Sequence, residues 1–181
     1  MKTSFILTLI GPDRPGLVSA VAARARAAGG NWLESRMTQL AGQFAGVVLL
    51  EAEADAAEGL EAALRELERE GLQIHVQRGS EQPSPVAHHV MLDLVGHDHP
   101  GIVQDITAVL SRHGVSVETL DTACEPASMT GEPMFHARAR LGVPHGLDLN
   151  TLQDDLEALA NELMVDLELH DPLQESPEAV A

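Results

Sequence analysis

The chain has 181 residues, of which 44% are hydrophobic, enough for one large domain or two small ones with packed cores. Aromatic residues make up only 2%, and 28 acidic residues outnumber 11 basic ones, which gives a formal net charge of −17. Phosphate contacts require clustered lysine and arginine, so this balance disfavours direct binding to DNA or RNA. It is typical of a solvated acidic surface, of a salty cytoplasm, or of a protein with a basic partner.

No apolar run is long enough to cross a bilayer. Residues 5–10 are apolar but short, and no small-residue cleavage site follows them, so they predict a strand and not a secretory leader. The single cysteine, Cys124, cannot form a disulfide within the chain. A reducing compartment is therefore favoured, and we expect a cytoplasmic protein that does not contact a membrane.

One segment of the sequence recurs at a constant offset of 85 residues. Residues 6–18 read ILTLIGPDRPGLV, and residues 91–103 read MLDLVGHDHPGIV. A repeat of this length predicts two copies of one structural module. We expect modules at residues 1–79 and 87–171, a proline-containing linker at 80–86, and a disordered acidic tail at 172–181.

The first module predicts six elements from hydrophobic periodicity and glycine stops. In chain order these are a strand at 4–10, a helix with Pro15 in its first turn and an apolar face of Val18, Val21, Ala22 and Ala25, strands at 31–40 and 44–52, a helix with Leu60, Leu64 and Leu67, and a strand at 72–77. Gly29 and Gly30 end the first helix, Gly42 lies in the turn between the two middle strands, and Gly71 ends the second helix.

The second module predicts the same order. Its elements are a strand near 90–94, a helix with Ile102, Val103, Ile106, Val109 and Leu110, strands at 115–124 and 134–141, a helix with Leu152, Leu156, Leu159 and Leu163 capped by Asn150, and a strand at 164–169. The order βαββαβ predicts an α+β fold of two ferredoxin-like modules with antiparallel sheets. Both helices cover one face of each sheet. The other face and the edges remain for the sister module or a second chain, and we expect a homodimer.

The turn between the first strand and the first helix is the main candidate binding site. A helix N-terminus presents free N–H groups and a positive dipole end, which together suit a carboxylate. Gly16 allows close approach, Asp13 offers a charge for an ammonium group, and Asn31 offers a donor and an acceptor. These groups fit an amino-acid zwitterion. The alternative is structural: Asp13 caps the helix and Gly16 permits close packing.

The second copy of this turn differs in two positions. Ser116 stands where the first module has Asn31, and a hydroxyl reaches less far than an amide. His99 replaces Arg14, which removes a fixed charge near neutral pH. The second turn is therefore expected to bind differently or not at all.

Other reactive residues do not form a site. His88 and His89 alternate on a strand, and His97 and His99 lie on a turn without a nearby thiolate, so no metal is expected. Glu125 follows Cys124, which favours an inert thiol. No catalytic triad, dinucleotide fingerprint or P-loop is present, so we expect neither an enzyme nor a cofactor.

The segment Asp-Arg-Pro-Gly-Leu at 13–17, with Gly-Asn-Trp at 30–32, resembles the signature of ACT domains, and residues 98–102 with 116–117 resemble a second. ACT domains are regulatory modules that bind amino acids, usually at interfaces between paired modules. Two tandem modules without an enzyme domain are similar to the glycine cleavage system transcriptional repressor family. The resemblance implies ligand contacts at two sets of residues. These are Gly11, Asp13, Arg14, Pro15, Gly16 and Asn31, and then Asp98, His99, Pro100, Gly101 and Ser116.

This resemblance implies a repressor that binds a small amino acid, glycine or serine, and acts by contact with a DNA-binding activator without touching DNA. The alternative is a free-standing ACT regulatory subunit that modulates an amino-acid or folate-pathway enzyme. The sequence alone does not choose between a transcriptional and an enzymatic partner.

Overall fold

The computed structural model describes residues 2–79, 86–127 and 131–171. It divides the chain into two compact units, Met1–Gln82 and Pro83–Ala181, called module 1 and module 2 below. Each module has its own cluster of buried apolar side chains. All of the expected linker except residue 86, and the whole expected tail at 172–181, lie outside the described residues.

Module 1 is a four-stranded antiparallel sheet with its helices on one face. Its elements are β1 (Lys2–Pro12), α1 (Leu17–Ala27), β2 (Asn31–Leu40), β3 (Gln43–Glu53), α2 (Ala57–Arg65) with a 3₁₀ turn (Glu66–Glu70), and β4 (Gln73–Arg78). The strands lie in the order β2-β3-β1-β4. The long central strands β1 and β3 pair along their whole length, and β2 and β4 form the two edges.

Module 2 repeats this architecture. Its elements are β5 (Val86–His97), α3 (Ile102–Arg112), β6 (Ser116–Pro126), β7 (Pro133–Pro144), α4 (Leu149–Leu163) and β8 (Val165–His170). The strands lie in the order β6-β7-β5-β8, again all antiparallel. The predicted α+β fold of two ferredoxin-like βαββαβ modules is therefore confirmed.

Burial follows the two-residue period of the strands. Phe5, Leu7 and Leu9 of β1 are completely or almost completely buried, whereas the residues between them face away from the helices. The helices contribute the other side of the core. The buried residues are Leu17, Val21 and Ala25 of α1, and Leu60, Leu64 and Leu67 of α2 and its 3₁₀ turn. Each fully buried leucine contributes about 1.5–3 kcal/mol of transfer free energy, so this one-sided core stabilises the module.

Two predicted helix starts are wrong. The first helix begins at Leu17, so Pro15 precedes it, and Leu17 is buried while Val18 is 44% exposed. The left-handed Gly16 turns the chain just before the helix, and Val21 and Ala25 of the expected face are buried. In α4 the cap is Asp148 and not Asn150: the Asp148 carboxylate accepts a hydrogen bond from the Asn150 backbone N–H at 3.1 Å.

The residue that ends α4 generates a stability prediction. Met164 adopts a left-handed conformation (φ 55°) and is 82% exposed, whereas module 1 has Gly71 (φ 88°) at the corresponding helix end. A left-handed residue with a Cβ atom costs about 1–2 kcal/mol. We therefore expect Met164→Gly to raise the free energy of unfolding by about 1 kcal/mol in urea titrations. Gly71→Ala is the matched control and should lower it; a loss of stability in Met164→Gly would contradict the argument.

Candidate functional site

The first turn, residues 13–16, connects the end of β1 to the start of α1. Its last residue, Gly16, is the N-cap of α1, and no side chain accepts a hydrogen bond from the first helical N–H groups. The second turn, residues 98–101, ends in the same way at Gly101 before α3. α4, in contrast, is capped by Asp148. The structural alternative that Asp13 caps its helix is therefore wrong, and the first backbone N–H groups of α1 and α3, like those of α2, have no side-chain cap.

The backbone conformation at positions 16 and 101 requires glycine. Their φ angles are 90° and 107°, in the region that side chains with a Cβ atom rarely adopt. A Cβ atom on Gly16 would meet nothing within 4 Å, so close packing within the module is not the reason for this glycine. The second structural alternative, that Gly16 permits packing, is wrong as well.

Gly11 has a different role from the other residues of the first turn. A Cβ atom on Gly11 would lie 2.8 Å from Leu72 Cδ2 and 2.9 Å from the carbonyl oxygen of Gly71. A Cβ atom on Gly96 would likewise clash with the side chain of Val165. Both glycines therefore allow the edge strand to approach the central strand, which is a structural role at the base of each turn.

Local bonds hold the first turn in place. The Asp13 backbone N–H donates to the carbonyl oxygen of Gly42 at 2.9 Å, which ties the turn to the β2–β3 hairpin. The Arg14 guanidinium donates to the Glu70 carboxylate at 3.0 Å. Both groups of that ion pair are partly exposed, so the pair contributes little stability, but it directs Arg14 toward the 3₁₀ turn. In the second turn, His99 Nδ1 lies 3.3 Å from the carbonyl oxygen of Pro100.

Asn31 does not lie at the first turn of its own module. It pairs with Glu51, which pairs with Ser4 near the start of β1, whereas the turn follows the other end of that strand. Along β2, Asn31 is eight residue steps from Gln39, which aligns through Phe44 with Gly11 at the end of β1, a distance of about 25 Å in an extended strand. A single module therefore does not bring Asn31 and the turn together.

Ser116 of module 2 occupies the equivalent position at the start of β6. It pairs with Gly142 of β7, far from the second turn, and its hydroxyl donates to the carbonyl oxygen of Gly142 at 3.3 Å. The hydroxyl is thus already engaged by its own sheet, which makes it a weaker partner for any ligand than the Asn31 amide.

Cys124 is the residue that the sequence analysis missed at the second turn. Burial raises the pKa of its thiol, and the Asp98 carboxylate raises it further through its charge and a hydrogen bond. The raised pKa favours the protonated form of this exposed thiol, whose neighbour is the acidic residue of the turn. The signal was available in the hairpin register, because Cys124 pairs with Phe135 and Phe135 pairs with Gly96.

An apolar cleft runs between α3 and the edge strand β6. Val103, Val117 and Leu120 line it and are exposed, over a floor that includes Leu92, Ile106 and Phe135. In module 1, Val18 is exposed at the position on α1 that corresponds to Val103. Both modules thus leave apolar side chains uncovered on the same side, beside the turn and the β2 or β6 edge.

The histidines considered as metal ligands do not come together in one site. His88 Nε2 lies 3.9 Å from Asp171, and His89 Nε2 lies 2.9 Å from Glu118, so the two adjacent histidines contact different carboxylates. Among the described residues there is no group of three or more histidine, cysteine or acidic side chains that could hold a metal ion. Within the same ranges, no helix is both long and apolar enough to span a bilayer.

Comparison with known proteins assigns both modules to one family model. The ACT domain model matches residues 3–77 and again residues 88–170, which together form most of the chain. The two matches coincide with the two modules of the structure and contain both turns.

Three known proteins match this chain over most of their length. The chain is 24% identical to the glycine cleavage system transcriptional repressor of Escherichia coli over 162 residues, which cover 87% of this chain and 84% of the relative. A crystal structure of an unknown protein from Galdieria sulphuraria is 29% identical, with a TM-score of 0.83 over 94% of this chain and 98% of that one. A structure of a proposed glycine cleavage system transcriptional repressor has 23% identity and a TM-score of 0.68 over 94% and 97%.

The conformational role of Gly16 is testable against a matched glycine. A Cβ atom meets nothing within 4 Å at either Gly16 or Gly59, but only Gly16 has a positive φ. We expect Gly16→Ala to lower the free energy of unfolding by about 1–2 kcal/mol, because the backbone becomes strained. Gly59→Ala, inside α2, should raise it by about 0.5–1 kcal/mol. Equal effects in urea unfolding would show that the turn does not require the left-handed conformation.

Proposed function

Because the chain belongs to the ACT domain family, we propose that it is an amino-acid-sensing regulatory protein that acts by contact with another protein and not by catalysis. The observation that carries this proposal is the pair of uncapped helix N-termini after the Asp-x-Pro-Gly turns. Each presents N–H donors to an external carboxylate.

The ligand that suits the first turn is a small amino acid, glycine or serine. Its carboxylate would accept hydrogen bonds from the N–H groups at the start of α1, where the helix dipole favours negative charge. Its ammonium group would lie near the Asp13 carboxylate, which does not cap the helix. Arg14 is held by Glu70, so the helix N–H groups and not its guanidinium are the main carboxylate donors.

A second module would complete this site. β2 is an edge strand, and antiparallel pairing of two such edges places the start of one beside the end of the other. Asn31 of one module would then lie beside the turn of its neighbour, which a single module does not achieve. The exposed apolar residues along α1 and the α3–β6 cleft favour pairing on this side.

The second turn is proposed as the weaker site. Ser116 hydrogen-bonds within its own sheet, and Cys124 occupies the space beside Asp98. The glycine N-cap is kept at Gly101, but Asp105 in the first turn of α3 places its carboxylate beside that glycine and would repel the carboxylate of a ligand.

We propose that the protein partner is a DNA-binding activator in the cytoplasm. The Escherichia coli relative is named as a transcriptional repressor, and 24% identity over most of both chains supports a related role. A net charge of −17 opposes contact with the phosphate backbone, so repression would pass through a protein that itself binds DNA.

The amino-acid site gives a ranked binding prediction. We expect glycine or serine to bind the wild-type chain in titration calorimetry, and Asn31→Ala to weaken binding by about 1–3 kcal/mol, the cost of losing a hydrogen bond to a charged group. Ser116→Ala should have a smaller effect, because its hydroxyl is engaged by Gly142.

Asn161→Ala is the matched control, since that amide donates only to the Glu157 carbonyl within α4. It should leave binding unchanged. Protection of the Cys124 thiol from alkylation by added glycine would separately report occupancy of the second turn. If no amino acid binds at millimolar concentration, the turns are structural and the sensing proposal fails.

The charge of the chain gives a second prediction. The purified protein alone should not shift duplex DNA in a gel at physiological salt, because its lysine and arginine residues are few and are not clustered. Addition of the activator should produce the shift, with a mobility or affinity that depends on this protein. Sequence-specific binding by the chain alone would contradict the indirect mechanism.

A further inference from the structure

The sheet of module 1 has an apolar open face, on the side opposite its helices. β1 and β3 together present Ile6, Ile10, Ala45, Val47 and Leu49 on this face. Val47 is 44% exposed and Ile10 is 41% exposed. The register places Ala45, Val47 and Leu49 side by side on β3, and Ile6 and Ile10 beside them on β1, with Thr8 between these two and opposite Val47. A contiguous apolar patch with a polar rim is typical of a protein interface.

The same face of module 2 is charged. The positions that correspond to Val47 and Leu49 are Arg138 and Arg140, and Asp93 lies opposite Arg138 on the neighbouring strand. Arg138 Nε donates to the Asp93 carboxylate at 2.6 Å, and Glu168 continues the charged surface on β8. The fold therefore tolerates arginine at these positions, and the apolar residues of module 1 are not required to form the sheet.

We propose that the open sheet face of module 1 is the contact between two copies of this chain, packed face to face about a two-fold axis. An apolar sheet needs an apolar partner surface. The open face of module 2 does not suit it, because Arg138, Arg140 and Asp93 would lose water without new partners. A second copy of the module 1 face supplies the same patch, and a two-fold contact is self-complementary.

The area of the open face and the charged residues at its edge both suit contact with a second copy. Three strands of ten or eleven residues and the six-residue β4 give a whole sheet face of roughly 600 Å² per copy, near the lower end of specific interfaces, with the apolar residues on its two central strands. At its edge, Arg36 and Glu34 form an ion pair at 3.0 Å with both side chains solvent-exposed, so the rim stays hydrated when the centre is covered. The contact uses neither the turns nor the β2 edge, so it is independent of amino-acid binding.

Particle mass tests the proposal directly. Sedimentation equilibrium of the wild-type chain at micromolar concentration should give an even multiple of the 19.3 kDa chain mass. The double variant Val47→Arg, Leu49→Arg gives module 1 the arginines that module 2 has at the corresponding positions. It should halve the particle mass. Met91→Arg with Val95→Arg adds the same charge to the open face of module 2 and should leave the mass unchanged. A wild-type mass of one chain, or an unchanged mass in the Val47 and Leu49 variant, overturns the proposal.

Cross-linking gives a readout that does not depend on the stability of the arginine variant. Cys124→Ser removes the only cysteine, and Val47→Cys then places one thiol near the centre of the proposed contact. Mild oxidation should give a disulfide-linked dimer of the full chain. Arg138→Cys in the same background is the matched control at the corresponding position of module 2 and should stay uncross-linked. Equal cross-linking of the two, or none with Val47→Cys, overturns the proposal, and neither result bears on amino-acid sensing.

Discussion

Both modules depend on one constraint: two helices must be buried against a single face of a four-stranded antiparallel sheet. The alternation of β1, with Phe5, Leu7 and Leu9 toward the helices, meets this constraint and stabilises each module from within. Everything outside that buried layer is then available for other contacts. The turns at the helix starts, the β2 and β6 edges and the open sheet faces are the three surfaces on which the two copies have diverged.

The sequence predicted the fold well because its signals are local and repeated. The offset of 85 residues, the strand alternation and the glycine stops each point to the same six elements, and the leucines expected in the second helix are buried. Val18 was assigned to the core although it is exposed, because the apolar pattern does not distinguish Val18 from its buried neighbour Leu17. The site was harder, since Asn31 and Cys124 owe their positions to strand register, which links residues far apart in sequence.

The repeat separates what the fold requires from what a function can use. The glycine that ends each turn is left-handed in both copies, so the strand-to-helix connection is a property of the module. The open face changes from Val47 and Leu49 to Arg138 and Arg140 without a change of strand order. A position that accepts both apolar and charged residues is not constrained by folding, so its chemistry in each copy reflects its surroundings in the assembled protein.

The separation of Asn31 from the first turn links sensing to assembly. The two parts of the proposed site lie about 25 Å apart in one module and would meet only when two modules pair, so an amino acid that contacts both parts would bind only the paired form. Such a ligand stabilises pairing by mass action. By linkage, any partner protein that recognises the paired form binds more tightly in the presence of the amino acid, and by the same factor strengthens amino-acid binding. Through the proposed site, the concentration of an amino acid would thereby control the stability of a complex between this chain and another protein.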